Sequence, residues 1–115
     1  DYGTYLNWLH RSDATLTFPQ TIVLRYTQLE PEERRLKQAV DDYTQWFFSR
    51  LKTVERATAD REYLCGGRFT IADICVGYAL YLATTLGLAG GFKPNTQRYY
   101  ARLTDRPAFK RAVAL

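Results

Sequence analysis

The stretch LCGGRFTIAD, residues 64–73, combines a turn with the start of a helix and decides the fold. Gly66 and Gly67 favour the turn, because glycine adopts backbone angles that other residues avoid. Thr70 is suited to be the N-cap of the helix that follows. Asp73, three positions later, can return its carboxylate to the free backbone amide of Thr70, which completes a capping box. The spacing therefore predicts a structural role for Thr70 and Asp73.

The helix that begins here is apolar on every side. Phe69 and Ile74 occupy the two positions of a hydrophobic staple across its first turn. The nineteen residues from Ile74 to Phe92 carry no charge, which is close to the length of a membrane span. Threonines and glycines from position 84 onward, however, end the helix near Leu86. We therefore predict the buried central helix of a bundle, and no membrane partner.

Helical spacing also marks the chain before this point. Apolar residues recur from Tyr2 to Leu16, Pro19 disturbs the pattern, and it resumes over residues 20–26. Pro31, followed by two glutamates, marks the start of the longest helix. Its apolar seam requires an antiparallel partner helix and comprises Leu36, Val40, Tyr43, Phe47, Leu51 and Val54.

Two shorter helices are expected after the central one. The first covers residues 94–103, and the second opens at Pro107 with Phe109 and Val113 facing inward. No segment alternates polar and apolar residues as a strand does. The sequence thus predicts an all-α fold, a single bundle of five or six helices, with residues 1–115 forming one domain.

The net charge of +4 raises the question of a nucleic-acid partner. The 16 basic residues are scattered, however, and pairs such as Arg34 and Arg35 lie beside acidic neighbours. No stretch interleaves basic residues with exposed aromatic ones. A solvated surface of mixed charge explains the composition better, and no nucleic-acid partner is predicted.

Metal and disulfide chemistry have little support in the sequence. Cys65 and Cys75 lack CxxC spacing, and the single histidine, His10, lies far from both along the chain. Two thiols make a poor disulfide framework, so we expect free cysteines in a reducing compartment. We interpret Cys75 as a packed thiol on the inner helix. Cys65 lies in a turn, and only Arg68 is close enough in sequence to activate its thiol.

Three segments, in order, resemble the C-terminal domain of glutathione transferases. Tyr5-Leu6-Asn7-Trp8-Leu9-His10 is similar to the first helix of that domain, and Thr70-Ile71-Ala72-Asp73 to its capping-box signature. Arg106-Pro107-Ala108-Phe109-Lys110-Arg111-Ala112 is similar to its closing helix. Together the three segments span nearly the whole chain.

The resemblance implies a function shared with a second domain. Family members pair this helical domain with an N-terminal thioredoxin-like domain, which binds glutathione and supplies the activating Tyr, Ser or Cys. The helical half shapes the electrophile pocket. Because the sequence begins abruptly inside a first helix, we expect a fragment of a longer cytoplasmic enzyme that forms a homodimer, with glutathione as co-substrate, and expect the fragment alone to be inactive.

The candidate pocket residues lie on the first helix. His10, Asp13, Ala14 and Thr17 are spaced by three, one and three, which places them on one helical face. By resemblance this face borders the electrophile cleft: His10 falls where pi-class relatives carry a substrate-site tyrosine, and Thr17 roughly where beta-class relatives carry a histidine. An exposed helix histidine and a solvated Asp13 fit the same spacing, so both interpretations stay open.

Two further alternatives follow from the sequence. The aromatic run Trp46, Phe47 and Phe48 is too continuous for one helix face, so at least one ring should point away from the seam, toward the missing domain or a second subunit. The whole domain could also be a non-catalytic interaction module, since transferase-like domains of this kind occur in translation-factor and synthetase assemblies.

Overall fold

The computed structural model describes residues 2–65 and 67–115. Its α-helices are α1 (Tyr2–Arg11), α2 (Phe18–Leu24), α3 (Lys37–Ala57), α4 (Ile71–Thr85), α5 (Pro94–Thr104) and α6 (Pro107–Ala114). No strand occurs in these two described stretches. The predicted all-α bundle is confirmed. Of the two glycines expected in the turn before α4, Gly67 lies in a turn and Gly66 falls outside the described residues.

The helix at the start of the chain continues past Pro19 instead of breaking there. A π-helical segment, Ser12–Thr17, joins α1 to α2, and a second one, Arg25–Leu29, extends α2. Pro19 has no backbone N–H to give to the carbonyl four residues earlier, so the ladder widens just before it. The amide of Phe18 accordingly donates to the carbonyl of Asp13, five residues back. Pro19 itself lies in the first turn of α2, where its missing donor costs little.

The longest predicted helix, α3, begins at Lys37 and not at Pro31. Residues 32–34 form one 3₁₀ turn, after which Arg35 and Leu36 have extended backbone angles. Because Leu36 precedes the helix, it does not share the apolar seam, and its side chain is 54% exposed. The seam itself is buried at Phe47, Leu51 and Val54.

Helix α4 contributes the most buried residues to the core, but the prediction that it is buried on every side is wrong, because Ile71, Ile74 and Tyr78 are 54–55% exposed. Seven of its residues are buried: Ala72, Asp73, Val76, Gly77, Ala79, Leu80 and Ala83. Its end is set by Gly87, whose φ of 81° lies in the left-handed region, while the amide of Leu88 donates to the carbonyl of Ala83. Among the described residues, no helix has the length and apolarity needed to cross a membrane.

The last two helices both open with proline, as predicted. Tyr99 and Leu103 of α5 are buried against the core. Phe109 of α6 is half-buried, with its ring 5.9 Å from that of Tyr81. The expectation that Val113 also faces inward is wrong, because this side chain is 48% exposed. Apart from Phe109, every residue of α6 is exposed.

Candidate functional site

The predicted pocket residues lie at the junction of α1 and the first π-helical segment. His10, Asp13 and Ala14 are exposed, and Thr17 is half-buried. A helix with bonds between residues i and i+5 has more residues per turn than an α-helix. Counting α-helical turns therefore does not fix which of these four positions share a face, and their common face stays a prediction.

Asp13 is the member of this group whose charge acts on a second helix. Burial raises the pKa of the Cys75 thiol on α4, and the nearby carboxylate of Asp13 raises it further. Both effects disfavour the thiolate, which is the reactive form of cysteine. Cys75 therefore suits a wall of the site better than a nucleophile, as the sequence indicated.

The surface of α4 next to Cys75 is apolar and open. Ile71, Ile74 and Tyr78 follow one another at intervals of three and four residues, and each is 54–55% exposed. The first π-helical segment and α1 both pack against α4. The junction thus contacts the helix that carries the strip, while Ile74 and Tyr78 themselves line a groove against α6.

Asp73 lies inside the fold, and both of its carboxylate oxygens are engaged. Its Oδ2 accepts a hydrogen bond from the amide of Thr70 at 2.9 Å, while the Thr70 hydroxyl oxygen accepts from the amide of Ala72 at 3.2 Å. The capping box expected from the sequence is thus present in full. Asp73 Oδ1 accepts from the amide of Leu64 at 3.1 Å and from the phenol of Tyr99 at 2.7 Å. A carboxylate held in this way is poorly placed to exchange protons with a bound substrate.

Tyr99 is a partner of this carboxylate that sequence reasoning missed. Burial raises the pKa of Tyr99, and the charge of Asp73 and the hydrogen bond to it raise the pKa further, so the phenol stays a donor. Nothing in the spacing reveals the pair, because 26 residues separate it and the contact depends on how α5 packs against α4. A tyrosine on the buried side of a predicted helix, which needs a partner for its hydroxyl, is the only available signal.

Glu55 is a second engaged carboxylate that the sequence did not indicate. Its oxygens accept hydrogen bonds from the amides of Asn95 and Thr96, at 3.1 and 2.9 Å, and from the Thr96 hydroxyl at 3.0 Å. Partial burial raises the pKa of Glu55, but these hydrogen bonds and the charge of Arg98 outweigh it, so the pKa is lowered overall. Glu55 thereby caps the first turn of α5 from α3.

The aromatic run on α3 divides between the core and a second surface. Phe47 is buried, and Phe48 packs edge-on against it at 5.1 Å. Trp46 leaves this row and packs against Phe18 of α2 and Tyr43, with ring centroids 6.4 and 5.4 Å away. Phe18 is 47% exposed, so this aromatic cluster reaches the surface.

The cysteines and acidic residues do not assemble into a metal site within the described parts of the chain. Cys65 and Cys75 are both free thiols. Across residues 2–65 and 67–115, no group of three or more His, Cys, Asp or Glu side chains is arranged to hold a metal ion.

Comparison with known proteins identifies the family that these features fit. Residues 10–107 match the family model described as glutathione S-transferase, C-terminal domain. The glutathione S-transferase GstB of Escherichia coli K12 is 26% identical over 108 residues, which is 94% of this chain and 52% of that protein. The chain therefore spans about half the length of the curated relatives it matches.

Solved structures share the fold. A glutathione S-transferase III in apo form overlays with a TM-score of 0.84 at 22% identity, over 97% of this chain and 54% of that one. A theta-class glutathione S-transferase from Xanthomonas axonopodis pv. citri, solved with glutathione bound, gives 0.83 at 25% identity, over 98% and 60%.

Proposed function

Because the chain belongs to the glutathione S-transferase C-terminal domain family, we propose that it is the electrophile-binding half of a glutathione transferase. In such an enzyme the glutathione thiolate attacks an electrophile, and a hydrogen bond from the thioredoxin-like half stabilises the thiolate. The family match over residues 10–107 carries this proposal. The theta-class relative solved with glutathione bound supports glutathione as the co-substrate.

The described residues support a division of labour between the two halves. Asp73 is buried and fully hydrogen-bonded, and the pKa of the Cys75 thiol is raised. Neither group suits activation of an external thiol. The activating residue therefore belongs to the thioredoxin-like half. The helical chain described here contributes the shape of the electrophile pocket.

The electrophile is proposed to bind beside the junction of α1 and the π-helical segment. His10, Asp13 and Ala14 are exposed there, Thr17 is half-buried, and the largely apolar helix α4 packs against the junction. An apolar wall with a few polar groups is the usual composition of a small-molecule site. His10 would contact the substrate, Asp13 and Ala14 would line the cleft, and Thr17 would limit its depth.

The setting proposed for the enzyme is a homodimer in the cytoplasm. The two free thiols suit a reducing compartment. The cluster of Phe18, Tyr43 and Trp46, which reaches the surface between α2 and α3, is the proposed subunit contact.

An activity assay tests the proposal. The 115-residue chain and a longer polypeptide that adds the thioredoxin-like domain are each incubated with glutathione and a chlorinated nitrobenzene. Transfer is expected only from the longer polypeptide. Transfer by the short chain at the rate of the longer polypeptide would contradict the division of labour. A longer polypeptide that assembles with other proteins but shows no transfer would favour the interaction module.

A further inference from the structure

The side chain of Gln20, the third residue of α2, is fully buried and links two elements. Its Nε2 donates hydrogen bonds to the backbone carbonyls of Leu16 and Ala79, each at 2.9 Å. Leu16 belongs to the π-helical segment Ser12–Thr17, and Ala79 lies in α4. This pair of hydrogen bonds, called the Gln20 link below, therefore joins the π-helical segment to the central helix.

The orientation of the Gln20 amide is fixed by its partners. Because carbonyl oxygens only accept hydrogen bonds, the NH2 group and not Oε1 must face Leu16 and Ala79. Within residues 2–65 and 67–115, no group donates a hydrogen bond to the buried Oε1. A buried acceptor of this kind costs free energy. Stability alone therefore favours an apolar side chain at this position, so the amide calls for another role.

A second contact between the same two elements shows how they lie. The charge of Asp13, in the π-helical segment, acts on Cys75 of α4. Asp13 precedes Leu16 by three residues, and Cys75 precedes Ala79 by four. The two contacts thus follow the same order along both elements, which places the segment alongside α4. Turns of π-helix are rare and often occur at functional sites, so the position of this segment matters for the site.

We propose that Gln20 is a positioning residue for the electrophile site. Its amide holds the π-helical segment against α4 and thereby sets where Asp13 and Thr17 stand in the cleft. The inference rests on the proposed function, because it takes these two residues as lining the cleft. Gln20 is itself fully buried, so it acts through the segment and not by touching the electrophile. Small displacements of lining residues change which substrates fit.

Side-chain amide exchange in the unaltered 115-residue chain tests the Gln20 link. In ¹⁵N-resolved NMR spectra, the NH2 protons of Gln20 should exchange with water at least about a hundredfold more slowly than those of Gln45. Gln45 is the internal reference because it is exposed on α3. Equal exchange at the two side chains would overturn the link and the proposal with it.

Thiol labelling tests whether the link holds the segment against α4. In a Cys65→Ser background, Gln20→Met keeps an unbranched side chain and removes both hydrogen bonds. Maleimide should then label the half-buried Cys75 several-fold faster, because the segment leaves α4 more often. Gln97→Met is the matched control, since it removes an amide-to-carbonyl bond of 2.8 Å, to Phe92, on α5. An unchanged rate in Gln20→Met, or an equal rise in both variants, would overturn the link.

Electrophile selectivity tests the positioning role. In the longer polypeptide, Gln20→Met should change the ratio of kcat/KM between a bulky and a small chlorinated nitrobenzene by at least about threefold. The KM for glutathione should keep its parental value. A residue needed only for folding would lower the active fraction, which reduces both kcat/KM values equally and leaves their ratio unchanged. Gln97→Met should keep the parental ratio, and a parental ratio in Gln20→Met would overturn the positioning role.

The outcomes separate this inference from the proposed function. If the unaltered longer polypeptide shows no transfer although the NH2 protons of Gln20 are protected, the enzyme and the selectivity role are refuted and the link stands. Transfer without that protection would keep the enzyme and overturn the inference. Gln20→Leu replaces Gln20→Met if the latter does not fold. Failure of both variants to fold would make Gln20 a folding residue and overturn its positioning role.

Discussion

The phenol of Tyr99 on α5 donates a hydrogen bond of 2.7 Å to the carboxylate of Asp73, the third residue of α4. The same carboxylate accepts bonds from the amides of Leu64 and Thr70. One buried side chain therefore joins the loop before α4, the start of α4 and the middle of α5. Such a network is worth more than its separate bonds, because losing the acceptor strands several buried donors at once.

Asp73→Ala should lower the free energy of unfolding by at least about 3 kcal/mol, because two buried donors and one partly buried donor lose their acceptor. This exceeds the roughly 0.5–2 kcal/mol expected for a lost cap alone. Urea unfolding followed by circular dichroism measures the difference. An unchanged stability of Asp73→Ala combined with loss of transfer in the longer polypeptide would instead assign Asp73 a direct part in the reaction.

Tyr99→Phe removes only the donor and should cost about 1.5–3 kcal/mol, as expected for a hydrogen bond to a charged group. Tyr100→Phe is the matched control. Tyr100 is half-buried among the rings of Phe92 and Phe109, and losing its hydroxyl should change the stability little. Equal losses in the two variants would show that the Asp73 contact adds nothing.

The capping box could be predicted from sequence because its two residues are three positions apart, and the local geometry of a helix start fixes their relation. The role of Tyr99 could not be predicted from sequence, because its contact with Asp73 depends on the packing of two helices. The same holds for Glu55, which caps α5 from 40 residues away. The helix starts at Pro94 and Pro107 were predictable because proline favours the first turn of a helix whatever the tertiary fold. The exposure of Val113, in contrast, depends on what packs over α6.

Glu55 should make the stability of the fold depend on pH. Its pKa is lowered from the ordinary value of 4.5, so the folded state favours the carboxylate. Its contribution is fully present above pH 4.5 and is lost as the pH falls through the lowered pKa. Glu55→Gln should therefore reduce the acid sensitivity of the unfolding free energy between about pH 5 and pH 3. Parallel pH profiles for the two proteins would contradict this role.

Gly91 is required by a close contact. A Cβ at this position would lie 2.6 Å from Cε1 and Cζ of Phe48, whose ring packs against the buried Phe47. Gly91→Ala should therefore cost about 1–3 kcal/mol through overpacking. Gly90→Ala is the control, since a Cβ there meets nothing within 4 Å. Equal melting temperatures for the two variants would show that the Phe48 ring moves aside freely.

The candidate pocket shows where helical spacing is a weak guide. The sequence placed four residues on one face by counting α-helical turns; the segment from Ser12 to Thr17 is π-helical, so that shared face stays a prediction. Pro19 was the sequence signal for this change. It indicated that the helix is disturbed there, but it did not show whether the helix kinks, breaks or becomes π-helical. The exposure of His10 and Asp13 and the half-buried position of Thr17 come from the structure alone.

Thr17→Phe tests the proposed pocket wall, because Thr17 is half-buried and an added ring would narrow any cleft that this residue lines. In the longer polypeptide this change should alter which electrophiles are accepted while leaving glutathione affinity nearly constant. The tripeptide would be held mainly by the thioredoxin-like half, whereas a small change of pocket shape shifts discrimination by about 1–3 kcal/mol.

His10→Ala tests the same region by charge instead of volume. An imidazole that reaches the substrate can exchange a proton with it, so its removal should change turnover or the pH dependence of turnover. A bystander on the surface would change neither. The measurement is a panel of electrophiles of different size, assayed from pH 6 to 9 on both variants, with Thr21→Phe on the exposed side of α2 as the control. If Thr17→Phe and His10→Ala both keep the parental profile, this face is solvent, and the electrophile must bind elsewhere.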